Sequence, residues 1–125
     1  MKFWIPRIGQ RGYEHFQKRF FLWNASISFA LIISMAVLID RFLPEELDLV
    51  SLHYNIYTGI DRIGPRAEMW LHPALACLFF LMNLFFAQRY LKKGDVFMNR
   101  LVLGFNTGIL AALTLATYTI ISINR

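Results

Sequence analysis

The stretch FFLWNASISFALIISMAVLI, Phe20 to Ile39, contains no Asp, Glu, Lys or Arg. Two further windows, Met69 to Gln88 and Leu101 to Asn124, are free of the same residues. An α-helix rises about 1.5 Å per residue, so roughly 20 apolar residues cross the ~30 Å hydrocarbon core of a bilayer. Each window is long enough to do so. The chain is therefore predicted to be an all-α integral membrane protein with three transmembrane helices.

The overall composition also indicates a membrane protein. Of the 125 residues, 57% are hydrophobic and only 17% are charged, whereas charged residues make up about 25% of a soluble domain. A cleavable secretory signal is a poor interpretation of the first window, because Ile39 runs directly into Asp40 and Arg41 without a small-x-small cleavage site. We interpret residues 1–125 as one membrane domain with a retained first span.

The distribution of charge predicts the orientation of the spans. Nine Lys and Arg residues lie before the first window or between the second and third, whereas segment 40–69 holds three arginines and six acidic residues. Segments rich in Lys and Arg remain cytoplasmic. We therefore expect the N-terminus inside and the C-terminus outside. Because the basic residues flank apolar spans, they indicate contact with the lipid bilayer and not with nucleic acid.

This orientation divides the chain into six predicted segments. They are a cytoplasmic amphipathic segment (1–19), a first span (20–39), an outer loop (40–69), a second span (70–88), a cytoplasmic loop (89–100) and a third span (101–123). No span carries a charged residue, and charged residues in spans mark many ion and substrate pathways. Transport by this chain alone is therefore not expected.

Three amides lie inside the spans, Asn24, Asn83 and Asn106. With the predicted orientation they fall at similar depth, near the cytoplasmic side. A polar group in lipid needs a partner, and an Asn side chain both donates and accepts. The sequence predicts an interhelical polar cluster; the alternative is that each amide is wetted by the headgroup region.

The third window contains GFNTG, with Gly104 and Gly108 four residues apart. Two small residues on one helix face allow another backbone to approach closely. We expect this spacing to serve helix packing within the chain, with a partner protein as the alternative. Thr107, Thr114 and Thr117 add hydroxyl groups to this helix, which is predicted to be the central packing element.

The outer loop is predicted to be ordered, because it contains many apolar residues. Pro44 disfavours continuation of the first helix, and the PEEL sequence that it begins suggests a short helix. SLHYNIY, residues 51–57, has a β-leaning pattern, and the glycines of TGI and IGP are turn signals. We expect this loop to lie at the outer membrane interface.

The polar residues of this loop form a spaced pattern. It comprises Leu43-Pro44, His53, Asn55, Gly59, Asp61 and Gly64, followed by a span that opens with Pro73. Over roughly Phe20 to Gln88 the chain resembles a bacterial membrane domain of unknown function that forms the N-terminal part of SdpI-type immunity and signalling proteins. Gly59 stands one place later than in that pattern, and Ser51 replaces its usual proline. The resemblance implies a multi-pass protein of the bacterial inner membrane with a binding or sensing loop.

The motif has a structural and a chemical interpretation. In the first, Gly59 and Gly64 permit turns while Asp61 pairs with His53 or Arg62, so that the loop closes the end of the bundle. In the second, His53, Asp61, Glu68 and His72 bind a metal ion. Their spacing matches no compact zinc signature, so no metal and no cofactor is expected.

Two function classes remain open. The chain contains no Gly-rich phosphate loop, nucleophile elbow or HExxH sequence, so we do not expect an enzyme. We expect a small non-enzymatic membrane protein whose outer loop binds or senses a ligand such as an extracytoplasmic peptide. The alternative is an accessory or structural subunit of a larger membrane protein complex.

Overall fold

The computed structural model describes residues 7–125, with the side chains of residues 14–53 and 55–125. The elements in chain order are α1 (Arg7–Phe42), β1 (Leu49–Asn55), β2 (Gly59–Pro65), a 3₁₀ helix (Arg66–Trp70), α2 (Leu71–Lys92) and α3 (Val96–Ile123). Three helical segments, Glu14–Phe42, Arg66–Lys92 and Val96–Ile123, are long and apolar enough to cross a membrane. The chain is thus a multi-pass membrane protein by the length and composition of its helices.

The helices extend beyond the charge-free windows. α1 runs without interruption from Arg7 into the first span, so the described part of the predicted amphipathic segment belongs to the same helix; residues 1–6 and the side chains of residues 7–13 lie outside the description. Between α2 and α3 the predicted loop shrinks to the turn Lys93–Asp95, because Arg, Lys and Leu are good helix formers. Gly94 turns the chain at φ +77°, and Asp95 caps α3 by accepting the Met98 N–H at 3.0 Å.

The outer loop contains a β-hairpin, so the expectation of an all-α fold is wrong in this segment. β1 and β2 pair antiparallel with Val50 opposite Gly64, and the register shifts between Ser51 and Tyr54. The turn is formed where Asn55 Oδ1 accepts the Tyr57 N–H at 3.0 Å and Gly59 takes φ +77°. The short helix expected after Pro44 is also wrong, because these residues form a turn.

Gly64 serves a different purpose from the one its sequence context suggests. It lies within β2 and is not part of a turn, which corrects the turn predicted at IGP. A Cβ placed on Gly64 would lie 2.5 Å from Leu52 Cδ1 and 3.3 Å from the Glu68 carboxyl carbon. A side chain at this position would fit only if Leu52 shifted, so the glycine here provides space and not backbone freedom.

The core lies along α3, which packs against both other helices more extensively than they pack against each other. At the hairpin end, the buried side chains of Ile39, Leu43, Val50, Met69 and Ile121 join the hairpin to α1, α3 and the 3₁₀ helix. A second buried cluster, Met35, Ala76 and Leu110, lies deeper in the bundle. The prediction that the third helix is the central packing element agrees with this arrangement.

The two glycines of α3 do not take part in this core. Gly104 and Gly108 are exposed, and a Cβ on either would meet no atom of the described residues within 4 Å. The intramolecular packing expected at GFNTG is therefore wrong. α3 instead contacts its neighbours through Leu103, Asn106 and Leu110, which lie on another face of the helix and are buried.

Candidate ligand cleft at the hairpin end

A cleft of about 500 Å³ lies where the hairpin meets the start of α2. Its walls come from β1, β2, the 3₁₀ helix and the first turns of α2. The lining residues are Leu52, His53, Asp61, Arg62, Glu68, Leu71, His72 and Leu75. Ligand sites commonly combine a mainly apolar surface with a few polar groups in a volume of about 300–1,000 Å³. The cleft has both properties.

Two hydrogen-bonded pairs of polar side chains line the cleft. His53 Nδ1 lies 2.6 Å from Asp61 Oδ1, and Arg62 Nη2 donates to Glu68 Oε2 at 2.8 Å. The His53 and Arg62 side chains are 64% and 65% exposed. Pairs at such exposure contribute about 0–1 kcal/mol to stability. These side chains are therefore free to exchange their partners for charged groups on a ligand.

His72 adds a partly buried imidazole to the cleft. Its Nδ1 lies 2.8 Å from Thr117 Oγ1, and the same hydroxyl is 2.8 Å from the Leu113 carbonyl one turn earlier in α3. A threonine hydroxyl has one hydrogen. Both contacts are satisfied when Thr117 donates to Leu113 and His72 Nδ1–H donates to Thr117. This tautomer leaves His72 Nε2 as an acceptor.

The hairpin is anchored by Asn124, beside the end of α3. The Ser51 N–H donates to Asn124 Oδ1 at 2.8 Å, and Asn124 Nδ2 donates to the Ser51 carbonyl at 2.9 Å. One side-chain amide thus pairs with β1 as a neighbouring strand would. Arg66 adds a second link by donating to the Leu43 carbonyl at 3.3 Å. Sequence reasoning missed Asn124, because nothing in the sequence around it indicates that its partner is a strand about 70 residues earlier.

The loop motif divides between the cleft and its supports. His53 and Asp61 line the cleft. Asn55 and Gly59 shape the hairpin turn. Gly64 makes room for Leu52 and Glu68, and Pro73 is buried in the first turn of α2, where proline is tolerated.

The four candidate metal ligands engage other partners. His53 pairs with Asp61, Glu68 with Arg62, and His72 with Thr117. Within the described part of the chain, no three His, Cys, Asp or Glu residues form a group that could hold a metal ion.

A layer of polar side chains joins the helices toward the opposite end. Asn83 Nδ2 donates to Asn106 Oδ1 at 3.2 Å, and Asn106 Nδ2 donates to Ser28 Oγ at 2.9 Å. Asn24 is bonded to Thr107 at 2.5 Å. The structure thus brings Asn83 and Asn106 into direct contact and links Asn24 to α3 through Thr107. Asn99, which the sequence did not single out, donates to the Ala87 carbonyl at 2.8 Å.

Comparison with known proteins adds no relative. No family model matches the chain, and no curated protein or solved structure matches it.

Proposed function

We propose that the protein is a small, non-enzymatic membrane protein that binds an extracytoplasmic ligand, such as a short peptide, in the cleft at its hairpin. The observation that carries the proposal is the cleft itself, in which exposed groups of both charge signs surround Leu52, Leu71 and Leu75. A peptide offers both charge signs together with apolar side chains. The resemblance to the N-terminal part of SdpI-type proteins favours the same role for the loop.

Energetic considerations support a binding role for the charged residues. The exposed pairs contribute about 0–1 kcal/mol each, whereas full burial of an aliphatic side chain such as Val50 or Met69 contributes about 1.5–3 kcal/mol. The hairpin is therefore held mainly by its apolar anchors and by Asn124. The His53 and Asp61 side chains therefore contribute little to the stability of the fold.

Neither histidine of the cleft is hydrogen-bonded to an accessible hydroxyl among the described residues, which favours binding over nucleophilic catalysis. His53 is bonded to Asp61, and His72 to Thr117, which is fully buried. A hydroxyl in that position cannot reach a substrate without opening the bundle. The Ser51 hydroxyl is likewise buried, and it has no hydrogen-bond partner among the described residues.

A second candidate function is that of an accessory subunit in a larger membrane protein complex. It is favoured by the apolar surface of the hairpin, where Ile56 is 85% exposed and Tyr57 93% exposed, with Ile60 and Ile63 nearby in β2. A partner subunit covering the hairpin would bury these side chains. The headgroup region of the bilayer would also accommodate them.

Native mass spectrometry after gentle extraction from the source membrane separates the two functions. The wild-type chain is compared with His53→Ala and Asp61→Ala, and with His15→Ala as a control, because His15 is exposed near the opposite end. Recovery of the single chain with a small ligand that both cleft variants lose and the control retains supports the cleft. A stoichiometric complex with other polypeptides supports the accessory role. Recovery of the wild-type chain alone, without ligand, contradicts both.

A further inference from the structure

A second cleft lies at the opposite end of the bundle, between α1, the last turns of α2 and the start of α3. Its volume is about 560 Å³. Phe21, Leu22 and Leu91 make most of its surface apolar, while Glu14, Gln17 and Lys18 add polar groups on α1. Leu22 and Leu91 are also exposed, so the cleft opens onto the lipid-facing surface of the helices.

Gln17 is the unusual residue of this cleft. Its side chain is buried, with the residue 8% exposed, yet neither Oε1 nor Nε2 has a hydrogen-bond partner among the residues that the structure describes. Buried polar groups in native proteins are nearly always bonded, because an unpaired one loses its water without compensation. Asn99, in the same cleft, follows this rule by donating to the Ala87 carbonyl. Both amide atoms are inaccessible in this conformation, so an occupant that supplies an acceptor and a donor would pair with them when the Gln17 side chain adopts a rotamer that faces the cleft.

We propose that this cleft binds a glycerophospholipid with an anionic, hydroxyl-bearing headgroup, of the phosphatidylglycerol type. Gln17 Nε2–H would donate to a phosphate or ester oxygen, and Gln17 Oε1 would accept from a headgroup hydroxyl. Lys18 would neutralise the phosphate charge. An acyl chain would lie along Phe21, Leu22 and Leu91.

The charge at this end of the molecule favours an anionic lipid over a zwitterionic one. Four basic residues lie close in sequence to the residues that line the cleft, namely Arg19, Arg89, Lys92 and Lys93. The acidic residues of the same segments are Glu14 and Asp95. Each basic residue near an anionic membrane surface favours binding by about fivefold. Phosphatidylcholine has no hydroxyl for Gln17 Oε1 and no net charge for Lys18. The cleft thus distinguishes the two lipids through two separate groups.

Native mass spectrometry with defined lipids tests the proposal. The purified full-length protein in a neutral detergent is mixed with equimolar dioleoylphosphatidylglycerol and dioleoylphosphatidylcholine. We expect the wild type to retain phosphatidylglycerol at least about fivefold more than phosphatidylcholine, since Lys18 alone favours the anionic lipid by about that factor. Gln17→Leu removes both amide groups and fills the space with an apolar side chain, so its ratio should fall clearly below the wild-type value while Lys18 keeps part of the preference. Lys18→Ala should lower the ratio several-fold, whereas Lys93→Ala removes the same charge outside the cleft and should leave it near the wild-type value.

Thermal unfolding separates lipid binding from a purely structural role of Gln17. Added phosphatidylglycerol should raise the Tm of the wild type more than that of Gln17→Leu, which should be at least as stable as the wild type without lipid. If Gln17→Leu fails to fold, the lipid ratios of Lys18→Ala and Lys93→Ala test the proposal in its place. Equal retention of both lipids by the wild type, an unchanged preference in Gln17→Leu, or equal losses in the two lysine variants would overturn the proposal.

Discussion

At the scale of single residues, amide side chains make the most specific contacts in this molecule. Asn106 is almost completely buried and joins α3 to both other helices through Asn83 and Ser28. Asn99 and Asn124 instead bind backbone groups of α2 and β1. Because lipid offers no substitute partner inside the spans, the contacts of Asn106 hold the relative position of α3 and its two neighbours.

The Asn83–Asn106 contact should be visible as coupling between two substitutions. Asn106→Leu is expected to lower the free energy of unfolding by about 1 kcal/mol and Asn83→Leu by about 0.6 kcal/mol, the average for such contacts in membranes. The double variant should lose less than the sum of the single losses, since the shared bond is lost only once. Thermal unfolding in detergent measures all three; strictly additive losses would count against the contact.

Asn124 should control the stability of the hairpin selectively. Asn124→Ala removes two hydrogen bonds to Ser51, so amide exchange in residues 49–65 should become roughly tenfold faster while exchange in the helices stays the same. Ser122→Ala is a suitable control, because within the described part of the chain the Ser122 hydroxyl bonds to the Tyr118 carbonyl on its own helix and to no residue of the hairpin. Hydrogen exchange read by mass spectrometry resolves the hairpin; an unchanged hairpin rate would show that Asn124 is not its anchor.

Some of these residues could be predicted from the sequence and others could not. Asn83 and Asn106 stand at matching depths once the spans are placed, so the topology made their contact one of two predicted outcomes; which helix faces meet is not encoded by depth. The partners of Asn99 and Asn124 are backbone carbonyls and amides, and which carbonyl a side chain meets depends on the axial register of two elements. No periodicity in the sequence encodes that register.

At the scale of elements, the charge-free windows locate the three spans but not the ends of the helices. Arg, Lys and Gln favour helix outside the bilayer as well, so α1 and α2 continue into charged sequence. In the hairpin the β-leaning pattern of SLHYNIY was informative. The role of Gly64 could not be predicted, because a glycine needed for space and a glycine needed for a turn look the same in sequence.

Gly64→Ala should destabilise the hairpin. Its methyl group would meet the flexible end of the Leu52 side chain at 2.5 Å and the Glu68 carboxyl group at 3.3 Å, so both must shift, and we expect a cost of about 1 kcal/mol, the lower end of the range for overpacking. Limited proteolysis of the folded protein should show faster cleavage within residues 49–65. Wild-type resistance in this variant would mean that Leu52 moves aside freely.

Gly104→Ala tests whether a partner covers α3. Within the chain nothing among the described residues opposes a methyl group at this position, and alanine is favoured over glycine in a helix by about 1 kcal/mol. The variant should therefore unfold at a higher temperature in detergent. If Gly104→Ala instead releases other polypeptides from the extracted protein, α3 is a docking face and the accessory function gains support.

At the scale of the whole molecule, the two ends differ in structure and charge. The hairpin, which belongs to the acid-containing segment 40–69, and the end of α3 share one end, where the first cleft lies between the hairpin and the start of α2. The turn Lys93–Asp95 and most of the basic residues lie at the other end, beside the cleft that contains Gln17. The proposed binding of an extracytoplasmic ligand requires the hairpin end to face outward, as the distribution of Lys and Arg predicts.

Site-directed labelling tests that requirement most directly. In a Cys77→Ala background, which removes the chain's one cysteine, Thr58→Cys places a thiol at the exposed hairpin turn and Lys93→Cys places one at the opposite turn. A membrane-impermeant maleimide should label Thr58→Cys in intact cells and Lys93→Cys only after permeabilisation. Labelling of Lys93→Cys but not of Thr58→Cys in intact cells would place the hairpin cleft in the cytoplasm and contradict the proposed function.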